Sequence, residues 1–584
     1  MNRNRDLDIL KGIAIIAVVL YHLELLPLGY LGVDIFLIIN GYLITKGLEK
    51  DSCKGSLNYI DFLAKRIVRL LPLVVLASAV SLCLGYFTML PDDLENLGQS
   101  IVASSFFANN ILSCITTGNY WDLINTYKPL MHMWYLGVVF QFYLIFPLFF
   151  LLCHKTRLGK LINIRALIGV LTFLSFILHL SPLFTTAQKF YYLPFRFFEL
   201  GFGGLIALYS DKIIENSALI AKYGIVIVIL TLLLGGETSY LLLTNILTGC
   251  VIVFSLLPIS NEKNTIKFLH KFALAGKASF SIFIWHQVIF AFYKYAIESE
   301  ISLKDYIVIF LFIIFVSWAS YYLIEKTIGK FSKEKYIAIS LISVFFAVLM
   351  SCCGGYLYYV SGVVRDVPEL NIVRTSVHKG MLSEYTDRIY KMQVPFEEND
   401  KPNILVVGDS YARDMMNVIL ESSYKDSVNL SYAFPHDTLT EDEQKRIQKA
   451  NVILLRAEWM INDHKSLAEE VINRARTNLI YGIGTKEYGG TNGNEYQKRN
   501  KNGYYSQVAK IENKYIDTYN FEKLIWRDNY IDFIKPVSDD KYYVKVFTPN
   551  KKFISQDCRH LTQDGAKYYS QLFDLSFLMN YNKK

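Results

Sequence analysis

Inside the first long apolar stretch of the chain, Leu10 to Lys46, stand Lys11, His22 and Asp34, residues that a lipid-facing helix would not carry. A titratable side chain on a lipid-facing helix is costly, so each marks a candidate functional position. Lys11 and His22 are eleven residues apart. At about 100° per residue that closes three turns, so both project from one helix face, roughly 16 Å apart along the axis. A molecule whose charged end sits at Lys11 reaches His22 with its other end. The return helix begins near Gly29, after the turn Leu26–Tyr30, which sets Asp34 at a depth close to His22. A carboxylate there is expected to fix the imidazole tautomer and raise its basicity, making His22 a general base supported by Asp34. The competing reading is a bundle-facing polar patch that holds helices together.

A second constellation lies far along the chain. Asn403-Ile404-Leu405-Val406-Val407 is a buried-strand run, followed by Gly408-Asp409-Ser410 and a helix expected from Tyr411. Strand, sharp glycine turn and helix together expose a side chain at the strand's end, where helix N-terminal amides stabilise an oxyanion. Asp557-Cys558-Arg559-His560-Leu561-Thr562 is expected to open the last helix. A serine nucleophile needs a base and an orienter for it, and Asp and His three apart present both to one serine. The bland alternative makes Ser410 a helix cap and leaves Asp557 and His560 on the surface.

The elements that must hold these residues differ in kind. The chain has 584 residues, 52% of them hydrophobic and only 19% charged, and the apolar excess is concentrated before residue 360. Several runs there approach the ~20 residues that cross a bilayer. After residue 361 the composition is that of an ordinary globular domain. The net charge of +8 comes from clusters flanking the apolar runs, which argues against nucleic-acid binding. The first apolar stretch lacks a small-residue cleavage site and reads as a retained helix. Cys558 is the one cysteine after residue 361, so that domain has no internal disulfide.

Arg3 and Arg5 before the first helix, and Lys46, Lys50, Lys54, Lys65, Arg66 and Arg69 after the second, place both flanks in the cytoplasm. Helix three, 68–90, leads to Pro91-Asp92-Asp93-Leu94-Glu95, read as an acidic external loop. The stretch 100–113 is read as re-entrant or interfacial. Further spans are expected near 131–152, 163–183, 191–211, 219–236, 239–259, 272–296, 305–325 and 336–360. About eleven transmembrane helices result, an odd number that puts the C-terminal α/β domain outside the cytoplasm. Arg66 and Arg69 share a face at the cytoplasmic end, a cluster suited to an anionic cofactor with phosphate groups. Deeper in the bundle stand His132, the pair Arg196 and Glu199, His286 and Glu325.

Lys11-x10-His22, Gly32-Val33-Asp34-Ile35-Phe36 with Asn40-Gly41-Tyr42-Leu43-Ile44, Arg66-x-x-Arg69, Trp134…Gln141-Phe142-Tyr143-Leu144-Ile145 and Ser279…Trp285-His286 resemble the acyltransferase-3 family of membrane O-acyltransferases. The resemblance implies a cytoplasmic acyl-CoA donor such as acetyl-CoA, a cell-envelope polysaccharide or lipid-linked glycan as acceptor, no metal, and functional roles for Lys11, His22, Arg66 and Arg69. Many members carry two Glu before the Gln-Phe-Tyr; here the residues are Val139 and Phe140. The Gly-Asp-Ser and Asp-x-x-His pair resembles the SGNH/GDSL hydrolases, which implies Ser410 as nucleophile, His560 as base and Asp557 as its partner. The Asn that such enzymes bring after the third strand is missing from Arg456-Ala457-Glu458-Trp459, and Gly484, Asn492 or Asn494 are the candidates to replace it.

The expected organisation is a polytopic α-helical acyltransferase domain at 1–335, an additional transmembrane helix at 336–360, a connector at 361–400 and an extracytoplasmic SGNH-like α/β domain at 401–584. The expected location is the bacterial inner membrane, multi-pass, with the last domain in the periplasm or extracellular space. The function implied is O-acylation, in the first instance O-acetylation, of a glycan such as lipopolysaccharide O-antigen. A trimming esterase in the soluble half, an exporter in the membrane half, and a glycan-binding domain with a vestigial triad stand as alternatives.

Overall fold

The structure is a computed structural model that describes residues 5–116, 123–155, 163–209, 270–297, 301–329, 331, 333–375, 385–435, 438–555 and 557–579. The chain divides into two compact units, Met1–Gly362 and Val363–Lys584.

In the first unit, α1 (Arg5–His22) and α2 (Leu31–Cys53) form the expected hairpin, and α3 (Tyr59–Thr88) follows. Close helix contact is made possible by glycine. A Cβ on Gly12 would meet the Phe272 carbonyl oxygen at 1.9 Å, and one on Gly276 would meet that of Asp8 at 1.8 Å, so α1 lies directly against the helix His270–Lys277. Gly41 and Gly203 do the same for α2 and the helix Leu193–Tyr209, with Leu200 O at 1.9 Å and Ile38 O at 2.0 Å. Small residues that let backbones touch are the usual means of packing helices where no hydrophobic drive separates protein from lipid.

Among the described residues five stretches are long and apolar enough to cross a membrane: Pro27–Cys53, Tyr59–Thr88, Met131–Cys153, Leu303–Ile328 and Lys335–Tyr359. A sixth results if the bent pair Lys271–Lys277 and Ser279–Ala296 is one span. The expected spans 219–236 and 239–259 lie outside the described residues. Pro91-Asp92-Asp93-Leu94-Glu95 is not the loop expected from its acidity: it opens the helix Pro91–Ser105. Proline at the first helical position with carboxylates in the first turn suits the free amides and positive dipole of a helix start. The stretch 100–113 is divided between that helix and Asn109–Thr116.

The second unit is a three-layer α/β/α sandwich. Its five parallel strands β1 (Asn403–Val407), β2 (Asn429–Ala433), β3 (Val452–Arg456), β4 (Ile480–Ile483) and β6 (Tyr530–Ile531) lie in the order β2-β1-β3-β4-β6. β5 (Val508–Lys510) pairs antiparallel with β7 (Tyr543–Lys545). Ile404 stands opposite Leu430 on one side and Val452 on the other. Ile404, Val406 and Leu454 pack with Met415, Ile419 and Tyr569, while Leu405, Val407 and Leu455 pack with Ile447, Leu467 and Val471. Both faces of β1 and β3 are therefore covered, as their unbroken apolar runs require. The sheet grows outward in both directions from β1 and β3, and the crevice at their C-terminal ends is where doubly wound sheets place ligands. The stretch expected as a plain connector is folded onto this unit: Val367 bridges Ile372, and Glu369 O accepts the Phe553 N–H at 3.0 Å.

Gly565 tests the packing of this unit, because a Cβ there would meet the Ile554 carbonyl oxygen at 1.9 Å. Gly565→Ala is expected to lower the stability of the second unit by about 1–3 kcal/mol, as overpacking does. Lys567→Ala, at an exposed position of the same helix, is expected to stay within about 0.5 kcal/mol. Urea unfolding of the full chain in detergent, followed by near-UV circular dichroism, compares the two.

Candidate active site

In the second unit the turn after β1 is built for close approach. Gly408 has φ +144°, and a Cβ on it would meet the Arg456 Cβ at 2.7 Å. The Tyr432 hydroxyl donates to Gly408 O at 2.7 Å from below. Asp409 caps the next helix, Ser410–Leu420, by accepting the Tyr411 N–H at 2.9 Å. Ser410 thus sits at the first position of that helix, among amides that have no intrahelical acceptor.

Ser410, His560 and Asp557 come together. The Ser410 hydroxyl lies 2.9 Å from His560 Nε2, and His560 Nδ1 lies 2.6 Å from Asp557 Oδ2. Asp557 Oδ1 also accepts the backbone N–H groups of His560 at 2.7 Å and Arg559 at 3.1 Å. With Nδ1–H donated to the carboxylate, Nε2 is the acceptor that faces the serine hydroxyl. Burial opposes the charged ring, but the Asp557 carboxylate outweighs it and raises the pKa of His560. Burial likewise opposes ionisation of Asp557, yet His560 and the two backbone donors hold it well below the usual carboxylate range.

A buried ion pair ties the His560 segment to the Ser410 helix. Asp414, one turn after Ser410 and fully buried, accepts the Leu561 N–H at 2.9 Å and lies 3.0 Å from Lys486 Nζ. Burial lowers the Lys486 pKa and Asp414 opposes the shift. Removing one partner leaves the other charge buried, a change that costs about 3–5 kcal/mol.

The end of β3 holds a single buried arginine where the family pattern brings an asparagine. Arg456, 1% exposed, bonds Glu522 at 3.0 Å, Thr485 Oγ1 at 3.0 Å and Ile483 O at 3.1 Å, and its Nε stands 3.6 Å from Asp409. Two of the proposed replacements have other partners: the Gly484 N–H donates to Ile531 O at 3.0 Å, and Asn492 Nδ2 donates to Ser555 O at 2.7 Å. Asn494 is buried with neither amide atom hydrogen-bonded among the described residues.

In the first unit the structure changes the partner of His22. Asp34 Oδ1 accepts from Arg196 Nη1 at 2.7 Å, and the same nitrogen donates to Glu199 Oε1 at 2.8 Å. All three are buried. The depth of Asp34 follows from counting residues, but its direction does not. Gly32 faces α1, with Ala14 O at 2.4 Å from its Cβ position. Asp34, two residues on, is rotated by about 200° and joins Ile38 and Gly41 on the face against Leu193–Tyr209. The expectation that Asp34 orients His22 is therefore corrected: Asp34 and Glu199 neutralise and position Arg196.

What His22 meets instead is a second histidine, which meets a third. Its ring centroid is 5.0 Å from that of His286, and His286 is 5.2 Å from His132. His286 donates Nδ1–H to Phe283 O in its own preceding turn, at 2.7 Å. A polar and aromatic line runs from this cluster to α3. His132 and Tyr135 both touch Phe283, at 5.0 and 5.3 Å. Asn40 donates to the Tyr135 hydroxyl at 2.6 Å and accepts from that of Tyr143 at 3.1 Å. Arg66 lies over the Tyr143 ring at 5.5 Å. Arg69 is exposed one turn further along α3, and Lys11 is half-buried on α1. Asn40, Tyr135 and Tyr143 are residues that sequence reasoning did not single out, although they fall in the motifs quoted for the family.

The triad geometry predicts a pH profile. The serine needs neutral His560 to take its proton, and Asp557 stabilises the charged ring, so hydrolysis of p-nitrophenyl acetate should rise with pH through a value above the ordinary histidine pKa of about 6.5. Asp557→Asn should cut kcat by about 10³–10⁴-fold and move that limb to lower pH. A limb that stays in place would show the two groups are not coupled.

No solved structure matches the chain. The O-acetyltransferase OatA of Staphylococcus aureus strain NCTC 8325 is 25% identical over 347 residues, covering 56% of this chain and 57% of that protein. A second Staphylococcus aureus protein, from strain COL and provisionally named an O-acetyltransferase, is 28% identical over 351 residues with the same two coverages. The chain thus spans little more than half the length of these curated relatives. The acyltransferase domain family matches residues 4–326, more than half of the sequence and the whole of the segment that carries the histidine cluster, Arg66 and Arg196. The chain belongs to that acyltransferase family.

Proposed function

We propose that the protein is a transmembrane O-acyltransferase, in the first instance an O-acetyltransferase, that moves an acyl group from cytoplasmic acyl-CoA to a hydroxyl of a cell-envelope glycan. The observation that carries the reading is the presence in one chain of two separate histidine centres suited to acyl transfer: the cluster around His22 and the hydrogen-bonded Ser410–His560–Asp557 set. The donor's phosphates bind at Lys11, Arg66 and Arg69, where fixed cations suit them. Its arm lies along Tyr143, Asn40 and Tyr135, and its thioester reaches His22.

The second unit, an SGNH-like domain on the outer side of the inner membrane, completes the transfer. Ser410 attacks the arriving acyl carbonyl as His560 takes its proton, and the carrier group leaves with a proton. A glycan hydroxyl then attacks acyl-Ser410, giving its proton to His560, and the serine leaves as the free hydroxyl. Water must be kept from competing at this stage. Lipopolysaccharide O-antigen or a related surface polysaccharide is the acceptor class to assay first.

Mass spectrometry of envelope glycans from cells making each variant tests the scheme. His22→Ala and Ser410→Ala should each reduce ester-linked acyl groups at least tenfold. A rise with Ser410→Ala would make the second unit a trimming esterase, and no change would make it a binding module. Unchanged acylation with His22→Ala would remove the membrane half of the scheme.

A further inference from the structure

Among the described residues of the membrane unit, three ring nitrogens are buried without a hydrogen bond: Nε2 of His286 and both nitrogens of His132. His286 is 1% exposed and His132 is 2% exposed. The Ile284 backbone lies close enough to His132 to interact with its ring, but neither ring nitrogen makes a hydrogen bond of good geometry with a described residue. A neutral imidazole always carries one N–H donor and one bare acceptor. The Phe283 carbonyl settles which is which for His286: Nδ1 bears the proton, so Nε2 is an acceptor directed away from its own backbone. His132 has no well-formed hydrogen bond on either side among the described residues. A buried polar atom left without a partner calls for an explanation such as an ordered water or a catalytic role, and both rings border His22 or its neighbour at about van der Waals range.

We propose that His132 is a catalytic residue of the membrane transfer step, donating N–H to the thioester oxygen, and that His286 is the positioning residue behind His22. The proposal rests on the acyl-CoA reading above. An acceptor hydroxyl attacks the thioester carbon as its proton passes to His22, whose ring is backed by the acceptor nitrogen of His286. The carbonyl electrons move to oxygen, where the His132 N–H holds the negative charge. Collapse re-forms the carbonyl and breaks the carbon–sulfur bond, and the departing CoA thiolate takes the proton back from His22. Thioester and alcohol become ester and thiol, with no net proton gained or lost. In this arrangement His286 fills the place that the sequence suggested for Asp34.

Thiol release from acetyl-CoA, measured with inside-out membrane vesicles of cells making the full chain, tests the roles. His132→Phe should lower kcat by about 10²-fold or more, the usual loss for one oxyanion donor, with KM for acetyl-CoA changed less than threefold. His132→Gln keeps an N–H donor and should recover at least tenfold of that loss. His286→Leu should lower kcat and shift the pH dependence of the rate, and His286→Gln, which keeps an acceptor, should restore part of both.

A second measurement needs no variant. Carbethoxylation of His132 by diethyl pyrocarbonate, mapped by mass spectrometry in the wild-type chain, should fall at least fivefold with a non-cleavable thioether analogue of acetyl-CoA. A kcat for His132→Phe within twofold of wild type, Gln no better than Phe, or His132 labelling absent or unaffected by the analogue would overturn the proposal. If wild-type vesicles release no thiol at all, the donor assignment itself fails, which is a different result.

Discussion

A polar group taken out of water must find its partner inside the protein, and that single requirement shapes both units. In the membrane unit Arg196 is carried into the bundle with two carboxylates, Asp34 and Glu199, arriving from two helices to meet one guanidinium nitrogen. In the second unit Asp414 meets Lys486, and Arg456 meets Glu522, each partner almost wholly buried. Such pairs are weak sources of stability, because desolvation offsets much of their attraction, but losing one member is severe. Their effect is to allow few alternative arrangements. The helix that brings Asp34, α2, packs in turn against α1, which carries His22.

In the second unit the same logic reaches the chemistry. Asp414 lies one turn below Ser410 and bonds the backbone just past His560, so these two residues, 150 positions apart, are joined by a bond that neither makes itself. The parallel sheet supplies the rest. Its order puts the end of β1 beside the end of β3, and the only residue that fits between the serine turn and Arg456 is glycine. The absence of a side chain at Gly408 therefore belongs to the site as much as the side chain of Ser410 does.

Much of this was legible in the sequence, and the parts that were not share a cause. Strand runs, the Gly-Asp-Ser turn and the Asp-x-x-His spacing are local signals, and they lead to the residues that the structure joins. The α1–α2 hairpin and the depth of each ionisable group follow from counting turns. Direction around a helix axis, relative to other helices, is not contained in the count. Counting turns therefore sets Asp34 level with His22, whereas the glycine stripe it shares turns it towards Arg196. His132 and His286 were visible as polar residues, but nothing local says that helices far apart in sequence bring them to His22. The segment after Pro91 was read by its charge, when its proline and carboxylates also spell a helix start.

Function follows from having two centres with different surroundings. Around His22 the neighbours are other imidazoles and aromatic rings within a family of acyltransferases. Around His560 they are a serine, a carboxylate and the amides of a helix start. In the proposed scheme the first opens a thioester and the second holds an ester and passes it on. Sealed membrane vesicles bearing the full chain and the acceptor glycan, given radiolabelled acetyl-CoA on one side only, measure this directly. The account predicts label in the glycan when the donor is on the side of Lys11, Arg66 and Arg69 and the glycan is on the other. Label that enters only when donor and glycan share a side would contradict it.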